Sequence, residues 1–249
     1  MKIDRTQICD KQFKELFGYE RQSHSTDPEF MDILQKFIFG EVSQVGEIDN
    51  KMRELITISV LSAIQTLPQL KAHVQACLKV GLSPIEIREA IYQVAPFIGF
   101  PKTLNAINAM NEVFEQNSIS LPLPSQASVT DDKRITNGAE IQNLLYGTEI
   151  KEKYKSLLEF AAKAIPEFLT ELAFGDFYTR NGLSVKIREL LIVCVLTALG
   201  AVSPLKAHVA ANIKLGNSID IIYAALIQCL PYIGFPLVFA AINEIEKLN

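Results

Sequence analysis

Only four cysteines occur in the 249 residues, Cys9, Cys77, Cys194 and Cys229, and no two stand at the short spacing of a zinc or redox pair. A disulfide framework and a metal centre are therefore poor readings. Basic charge is scarce as well. Lys+Arg number 24 against 28 Asp+Glu, a formal net charge of −4, and no Lys/Arg run is long enough to hold a phosphate backbone. That argues against a nucleic-acid partner. Long apolar runs are missing too: the strongest, around Leu190–Val202 and Ala224–Phe235, are shorter than a bilayer crossing or broken by Gly and Pro. No transmembrane helix and no membrane partner are expected. Charged residues recur from Lys2 onward and leave no unbroken apolar leader, so the expected location is cytoplasmic. With 49% hydrophobic and 21% charged residues, the composition is that of a globular protein with ample core.

What the chain does contain is itself, twice. A shift of 135 residues lays Arg53-Glu54-Leu55 on Arg188-Glu189-Leu190, and Leu70-Lys71-Ala72-His73-Val74 on Leu205-Lys206-Ala207-His208-Val209. Ile98-Gly99-Phe100-Pro101 then meets Ile233-Gly234-Phe235-Pro236, and 26 of the 60 positions from 53 to 112 equal their partners. Upstream the match weakens, although Pro28-Glu29-Phe30 resembles Pro166-Glu167-Phe168 with a gap of about three residues, and Phe39-Gly40 resembles Phe174-Gly175. A period this long is a duplicated domain rather than a solenoid of short units. Residues 117–137 are rich in Ser and Pro and end in the charge run Asp131-Asp132-Lys133-Arg134, which reads as a linker between a first repeat over 1–116 and a second over 138–249.

Within the first copy, Ile48, Met52, Leu55, Ile56, Ser59, Val60 and Ala63 recur at helical intervals, and Asp49 or Asn50 can cap the start. Pro68 opens a second helix, with Gly81 as its stop. Ser83 and Glu86 form a capping-box pair for a third, which Pro96 and Gly99 end, and Pro101 opens a fourth. No stretch alternates apolar and polar residues between hairpin turns, so the fold class is all-α. The helices near Leu55–Leu67 and Leu190–Val202 are apolar on almost every side, which calls for packing of repeat on repeat and for a homo-oligomer.

Three histidines exist, and two of them, His73 and His208, occupy equivalent places. Glu54 precedes His73 by 19 residues, as Glu189 precedes His208, so each copy offers a carboxylate on one helix and an imidazole on the next. Such a pair orients the ring and suits general acid–base catalysis. It equally suits a buried histidine satisfied by one hydrogen bond, and the spacing alone leaves both readings open.

These residues resemble a known family. Arg-Glu-Leu-(Ile/Leu), the Lys-Ala-His-Val core with Gly eight residues after the His, and the downstream Gly-Phe-Pro are similar to the carboxymuconolactone decarboxylase family, within the alkylhydroperoxidase D type of helical domain. The resemblance covers about 60 residues of each copy and implies a duplicated all-α domain, in which paired repeats build the site, assembled as a trimer or dimer of tandem chains. Peroxidase-type members carry Cys-x-x-Cys before the histidine; here those positions are Thr66 and Gln69, and Ala201 and Pro204. Without that dithiol a peroxidase cycle has no nucleophile. The decarboxylase branch remains, implying a lyase without metal or organic cofactor that acts on a small carboxylated or lactone molecule.

The family's catalytic positions fall on His73 with Glu54 and on His208 with Glu189, the imidazole as proton donor and the carboxylate holding it. Arg53 and Arg188 are candidates to bind a substrate carboxylate, or else form helix-surface ion pairs. Lys71 and Lys206, two residues before the histidines, point to another face and rank lower. Cys77, four residues after His73, is the one thiol placed for activation by a histidine, but the second copy has Asn212 there. Ala201 and Pro204 give the second copy a more apolar neighbourhood, which favours His73. The repeated Pro96-Phe97-Ile98-Gly99-Phe100-Pro101 and Pro231-Tyr232-Ile233-Gly234-Phe235-Pro236 either turn the chain between helices or line an apolar pocket. His24, among Ser and Thr, reads as a surface loop or local cap. Two further classes stay open: a non-catalytic helical ligand-binding or assembly protein, and a peroxidase-like antioxidant using unusual cysteines.

Overall fold

A computed structural model describes residues 4–247 of the chain, and every regular element among them is helical. The first copy comprises α1 (Arg5–Phe17), α2 (Pro28–Gln35) running into a π turn over Lys36–Glu41, α3 (Asn50–Ile64), α4 (Leu67–Lys79), α5 (Pro84–Tyr92), the short α6 (Ala95–Ile98) and α7 (Phe100–Gln116). The second repeats the order: α8 (Arg134–Tyr146), α9 (Glu149–Tyr154), α10 (Glu159–Phe168) running into a π turn over Leu169–Tyr178, α11 (Val185–Ala198), α12 (Val202–Lys214), α13 (Ile219–Ile233) and α14 (Phe235–Glu246). The duplicated all-α domain expected from the sequence is what forms.

The punctuation is local chemistry. The Asp49 side chain accepts the Met52 N–H at the start of α3, and Ser83 with Glu86 closes a full capping box on α5. Gly99 and Gly234 adopt φ of 82° and 78°, which a side chain would resist, so both copies turn at the same glycine. The prolines before it behave differently. α5 ends at Tyr92, ahead of Pro96, whereas α13 continues through Pro231 to Ile233 and loses only the hydrogen bond that proline cannot donate.

α3 and α11 lie against each other at the centre, each with eleven buried residues, and α13 packs on both. Repeat-on-repeat packing thus buries the all-round apolar helices. Their polar residues follow a helical rule of their own: the hydroxyls of Thr57, Ser59, Ser62 and Thr197 each bond the carbonyl four residues back.

The front halves of the copies match more closely than their sequences suggest. A Cβ on Gly40 would come within 2.4 Å of the Arg5 carbonyl oxygen, and one on Gly175 within 2.5 Å of that of Arg134. Each glycine therefore lets the first helix of its copy rest on the π turn. Arg5 pairs with Glu41 and Arg134 with Asp176, both at 2.9 Å. α8 begins at Arg134, inside the stretch read as linker, so the last residues of that stretch are helical. Pro28 opens α2 while Pro166 lies inside α10, so the gapped likeness of their tripeptides does not mark equal places. With α1 and α8 as counterparts, both 13 residues long and both followed by a positive-φ glycine, Gly18 or Gly147, the real difference appears. Phe17 stands 23 residues before Gly40 but Tyr146 stands 29 before Gly175, and the second copy's extra length matches the six-residue α9.

Candidate active site

In both copies the carboxylate of the central helix meets the imidazole of the next. His73 Nδ1 lies 2.7 Å from Glu54 Oε2, and His208 Nδ1 lies 2.9 Å from Glu189 Oε2. A carboxylate only accepts, so Nδ1 carries the proton in each pair and Nε2 is left over. No described side chain bonds either Nε2. The repeats also complete each other. The edge of Tyr232, from the second copy, faces His73 at a centroid distance of 5.5 Å, and Phe97, from the first, faces His208 at 5.8 Å. The Pro-x-Ile-Gly-Phe-Pro segments therefore turn the chain and supply an aromatic wall to the opposite histidine.

Beyond this shared plan the copies diverge. His73 is 7% exposed, with Phe17 at 6.0 Å on its remaining flank. At the counterpart of Phe17 the second copy has Tyr146, whose hydroxyl donates to Glu189 Oε1 at 2.7 Å and lies 2.8 Å from His208 Nδ1. Tyr178 donates to the same Oε1 at 2.5 Å, where the first copy has Ser43, bonded instead to the Phe39 carbonyl. Glu189 thus receives two phenols and an imidazole. Burial, reinforced by the Glu189 charge, pushes both phenols well above their ordinary range, which keeps them neutral donors.

His208 opens onto a cleft of about 980 Å³, lined by the ends of α8 and α9, the second π turn, α12 and Phe97. The first-copy pair sits in packed aromatic surroundings, and the second-copy pair faces the cleft. Tyr146 and Tyr178 escaped the sequence reading because their counterparts are Phe17 and Ser43, and matching by identity passes over exactly such differences. The usable signal was helix length counted back from the glycines.

Neither candidate arginine lines the cleft. Arg53 donates to the carbonyls of Val45 and Gly46 and to Gln228 Oε1 at 3.0 Å; Arg188 donates to the carbonyls of Arg180 and Asn181 and to Glu89 Oε2. Both are buried brackets between loop and opposite repeat, which corrects their alternative reading as helix-surface ion pairs; Arg53 also lines a separate cavity with Asp49, Asn50 and Lys79. Lys206 does line the cleft, against the expectation from its place in sequence, and is held loosely by Glu244 at 3.5 Å. Lys71 pairs with Glu112 on the surface. All four cysteines are buried, and Cys77, shut in beside the Glu54 charge, is pushed well above the ordinary thiol range, the opposite of activation. His24 is the local cap: its Nδ1 accepts the N–H groups of Thr26 and Asp27 ahead of α2. Among the described residues no group of acidic, His and Cys side chains has metal-site geometry, and no helix is long and apolar enough to cross a membrane.

The sequence profile of the carboxymuconolactone decarboxylase family matches residues 28–112 and again 163–247. The chain belongs to that family. Both Glu–His pairs fall inside the matched segments, whereas α1 and α8, and with them Phe17 and Tyr146, fall outside. Among characterised relatives, the 4-carboxymuconolactone decarboxylase of Acinetobacter baylyi is 29% identical over 92 residues, covering 37% of this chain and 69% of its own. A nitrosuccinic acid decarboxylase of Metarhizium robertsii is 23% identical over 95 residues, 36% of this chain and 66% of its own. The matches span about two thirds of each relative and little more than one third of this tandem member of the family.

Proposed function

We propose that this carboxymuconolactone decarboxylase family protein is a decarboxylase-like lyase working in the second-copy cleft, on a carboxylated or lactone small molecule, by acid–base chemistry at His208. One observation carries the proposal: the His208 ring is held at Nδ1 by Glu189 while its Nε2 is unpartnered at a ligand-sized space. Loss of carbon dioxide leaves the bonding pair on the substrate carbon, where an adjacent carbonyl takes it up as an enolate. Protonated His208 then delivers the Nε2 proton to that carbon and regains one from solvent. Glu189, fixed by Tyr146 and Tyr178, holds the ring and balances its charge as it protonates. Lys206 is the ammonium placed to meet the substrate carboxylate or the enolate oxygen.

The proposal extends to self-association into a homo-oligomer and to a cytoplasmic site of action. Phe235 and Phe239 stand half exposed on α14 beside Phe37, and their counterparts Phe100 and Leu104 stand half exposed on α7, so the duplicated chain presents paired apolar surfaces to further copies of itself. Sedimentation velocity reads that assembly directly.

The chemical test is carbon dioxide release from a panel of carboxylated lactones and 3-oxo acids. Wild-type protein turns over at least one of them, and His208→Gln lowers that rate by about 10²-fold or more. An unchanged rate in His208→Gln would overturn the assignment.

A further inference from the structure

We infer that the ligand of the His208 cleft is a monocarboxylate with a large apolar body, an aryl- or alkyl-substituted acid rather than a compact polyanion. The inference rests on the lyase reading for what happens to the ligand, but its evidence is the distribution of polarity along the cleft.

The floor is apolar. Leu145, Ala173 and Phe174 are 2%, 3% and 5% exposed, and Phe97 closes the side wall from the first repeat. The polar side-chain atoms beside that floor are those of His208 and the two tyrosines, all turned to Glu189 apart from the Nε2 of the ring, and the Lys214 ammonium, which is turned to the Leu145 carbonyl. A ligand with several carboxylates would leave some of them facing Leu and Phe with no donor, a heavy penalty for a charge in an apolar site. Of the charged lining residues, Glu149, Glu152 and Lys153 on α9 and Lys214 on α12 are solvent exposed.

The cation supply points the same way. No arginine lines the cleft, because Arg53 and Arg188 are held by loop carbonyls and the opposite repeat. A bidentate clamp for a second carboxylate is therefore missing. Among the described lysines that line the cleft, Lys153 and Lys214 are solvent exposed and Lys214 is engaged by the Leu145 carbonyl, whereas Lys206, two residues before His208, is half buried and only loosely tied to Glu244. One ammonium suits one carboxylate. The volume fits a large body: about 980 Å³ is at the top of the range for pockets that enclose drug-sized ligands, about 300–1,000 Å³. Ile150 from α9, the segment with no counterpart in the first copy, adds apolar wall on the side where such a body would extend.

Titration calorimetry of the full chain with unreactive acids tests this without relying on turnover. Across butyrate, hexanoate and octanoate, affinity rises about four-fold per methylene, as expected when each is buried, and adipate and succinate bind at least ten-fold more weakly than octanoate. Leu169→Gln, in the wall, and Ile150→Gln, on the rim where folding is not at stake, each flatten the chain-length series. Lys206→Gln makes octanoate bind no better than octanol. A flat series in the wild type, or adipate binding as tightly as octanoate, would overturn the inference. The two proposals fail separately: octanoate binding without carbon dioxide release from 3-oxo-octanoate removes the lyase and keeps the specificity. Release from a short 3-oxo diacid, with no preference for longer chains, does the reverse.

Discussion

Phe97 of the first repeat lies edge-on to His208 of the second, centroid to centroid 5.8 Å, and the tie is returned by Tyr232 against His73 at 5.5 Å. Each imidazole is thus completed by the half of the chain that does not carry it. With α3 packed on α11 behind both contacts, the histidine environment is a property of the joined repeats and of neither alone.

The asymmetry between the sites gives the first prediction. His73→Ala removes a ring enclosed by Phe17 and Tyr232 and leaves the buried Glu54 without its imidazole. It should lower unfolding free energy by about 1–3 kcal/mol, with turnover per folded molecule within about two-fold of wild type, since general acid–base catalysis is worth about 10²–10⁴ only where the ring meets substrate. Urea unfolding and active-site-normalised rates measure the two effects on one preparation. A collapse of turnover in His73→Ala, with stability intact, would place the chemistry in the first copy.

Tyr146→Phe gives the second site the residue that the first already has at that place. Glu189 then keeps Tyr178 and His208 but loses one donor, and His208 Nδ1 loses its neighbouring phenol oxygen. Hydrogen bonds to charged groups contribute about 1.5–3 kcal/mol, so kcat should fall about ten-fold while the ring drifts from its working orientation. Tyr178→Phe, at a side chain only 3% exposed, should cost stability as well as rate. Steady-state kinetics that left kcat of Tyr146→Phe unchanged would make the phenol a wall residue only.

How much of this was open to inspection in the sequence depends on what kind of signal each residue leaves. Ser83 with Glu86, Asp49, Gly99 and the 135-residue shift are local or repeated patterns, and each marked a real boundary. The Glu–His convergence was legible because two adjacent helices carry it in both copies. The burial of Arg53 and Arg188 was not legible because residue type does not say whether a guanidinium reaches solvent or the backbone of a neighbouring loop. The position of Lys206 misled because helical periodicity assigns a face but not the width of a cleft. The π turns left no composition signal, and so the closeness of α8 to the second π turn at Gly138 and Gly175, where added Cβ atoms would meet backbone within 3 Å, could be seen only once folded.

Alkaline pH should destabilise the folded protein through its buried phenols. Tyr146, Tyr178 and Tyr232 are held neutral by burial and, next, by the adjacent Glu189 or Glu54 charge, so their folded-state pKa values lie above the ordinary phenol value near 10. The unfolded chain then binds fewer protons than the native one above that pH, and stability falls as pH rises. Their contribution is intact below about pH 10 and drains away above it. Urea midpoints measured across that range should drop steeply, with tyrosinate absorbance appearing together with loss of helix rather than before it. Tyr146→Phe should make the drop shallower. Tyrosinate formation by all seven tyrosines in still-folded protein would contradict the burial assigned to these three.

The last prediction concerns Glu89, which no solvent reaches. Arg180 grips it with two bonds of 2.8 and 2.9 Å, Arg188 and Arg88 approach at 3.3 Å, and Arg88 also donates to the carbonyls of Leu123 and Pro124. One carboxylate therefore ties the linker, the loop before α11 and α11 itself to the first repeat. A Cβ on Gly182 would sit 2.8 Å from Glu89 Cγ, which shows how closely that loop is drawn in. Burial pushes the Arg188 guanidinium below its ordinary range, and the Glu89 charge is what opposes that shift. Glu89→Ala should accordingly destabilise the protein by about 3–5 kcal/mol, the penalty for stranding a buried charge. The second repeat has Ala224 at the matching place, where Arg53 meets the neutral Gln228 instead of a carboxylate. Removing both charges, as in Glu89→Ala with Arg188→Met, should recover most of the loss, because the pair matters through what each member leaves behind when the other is gone. Urea denaturation of the two single variants and the double closes that cycle, and a double variant as weak as Glu89→Ala would mean that Arg180 and Arg88, rather than Arg188, are what the carboxylate restrains.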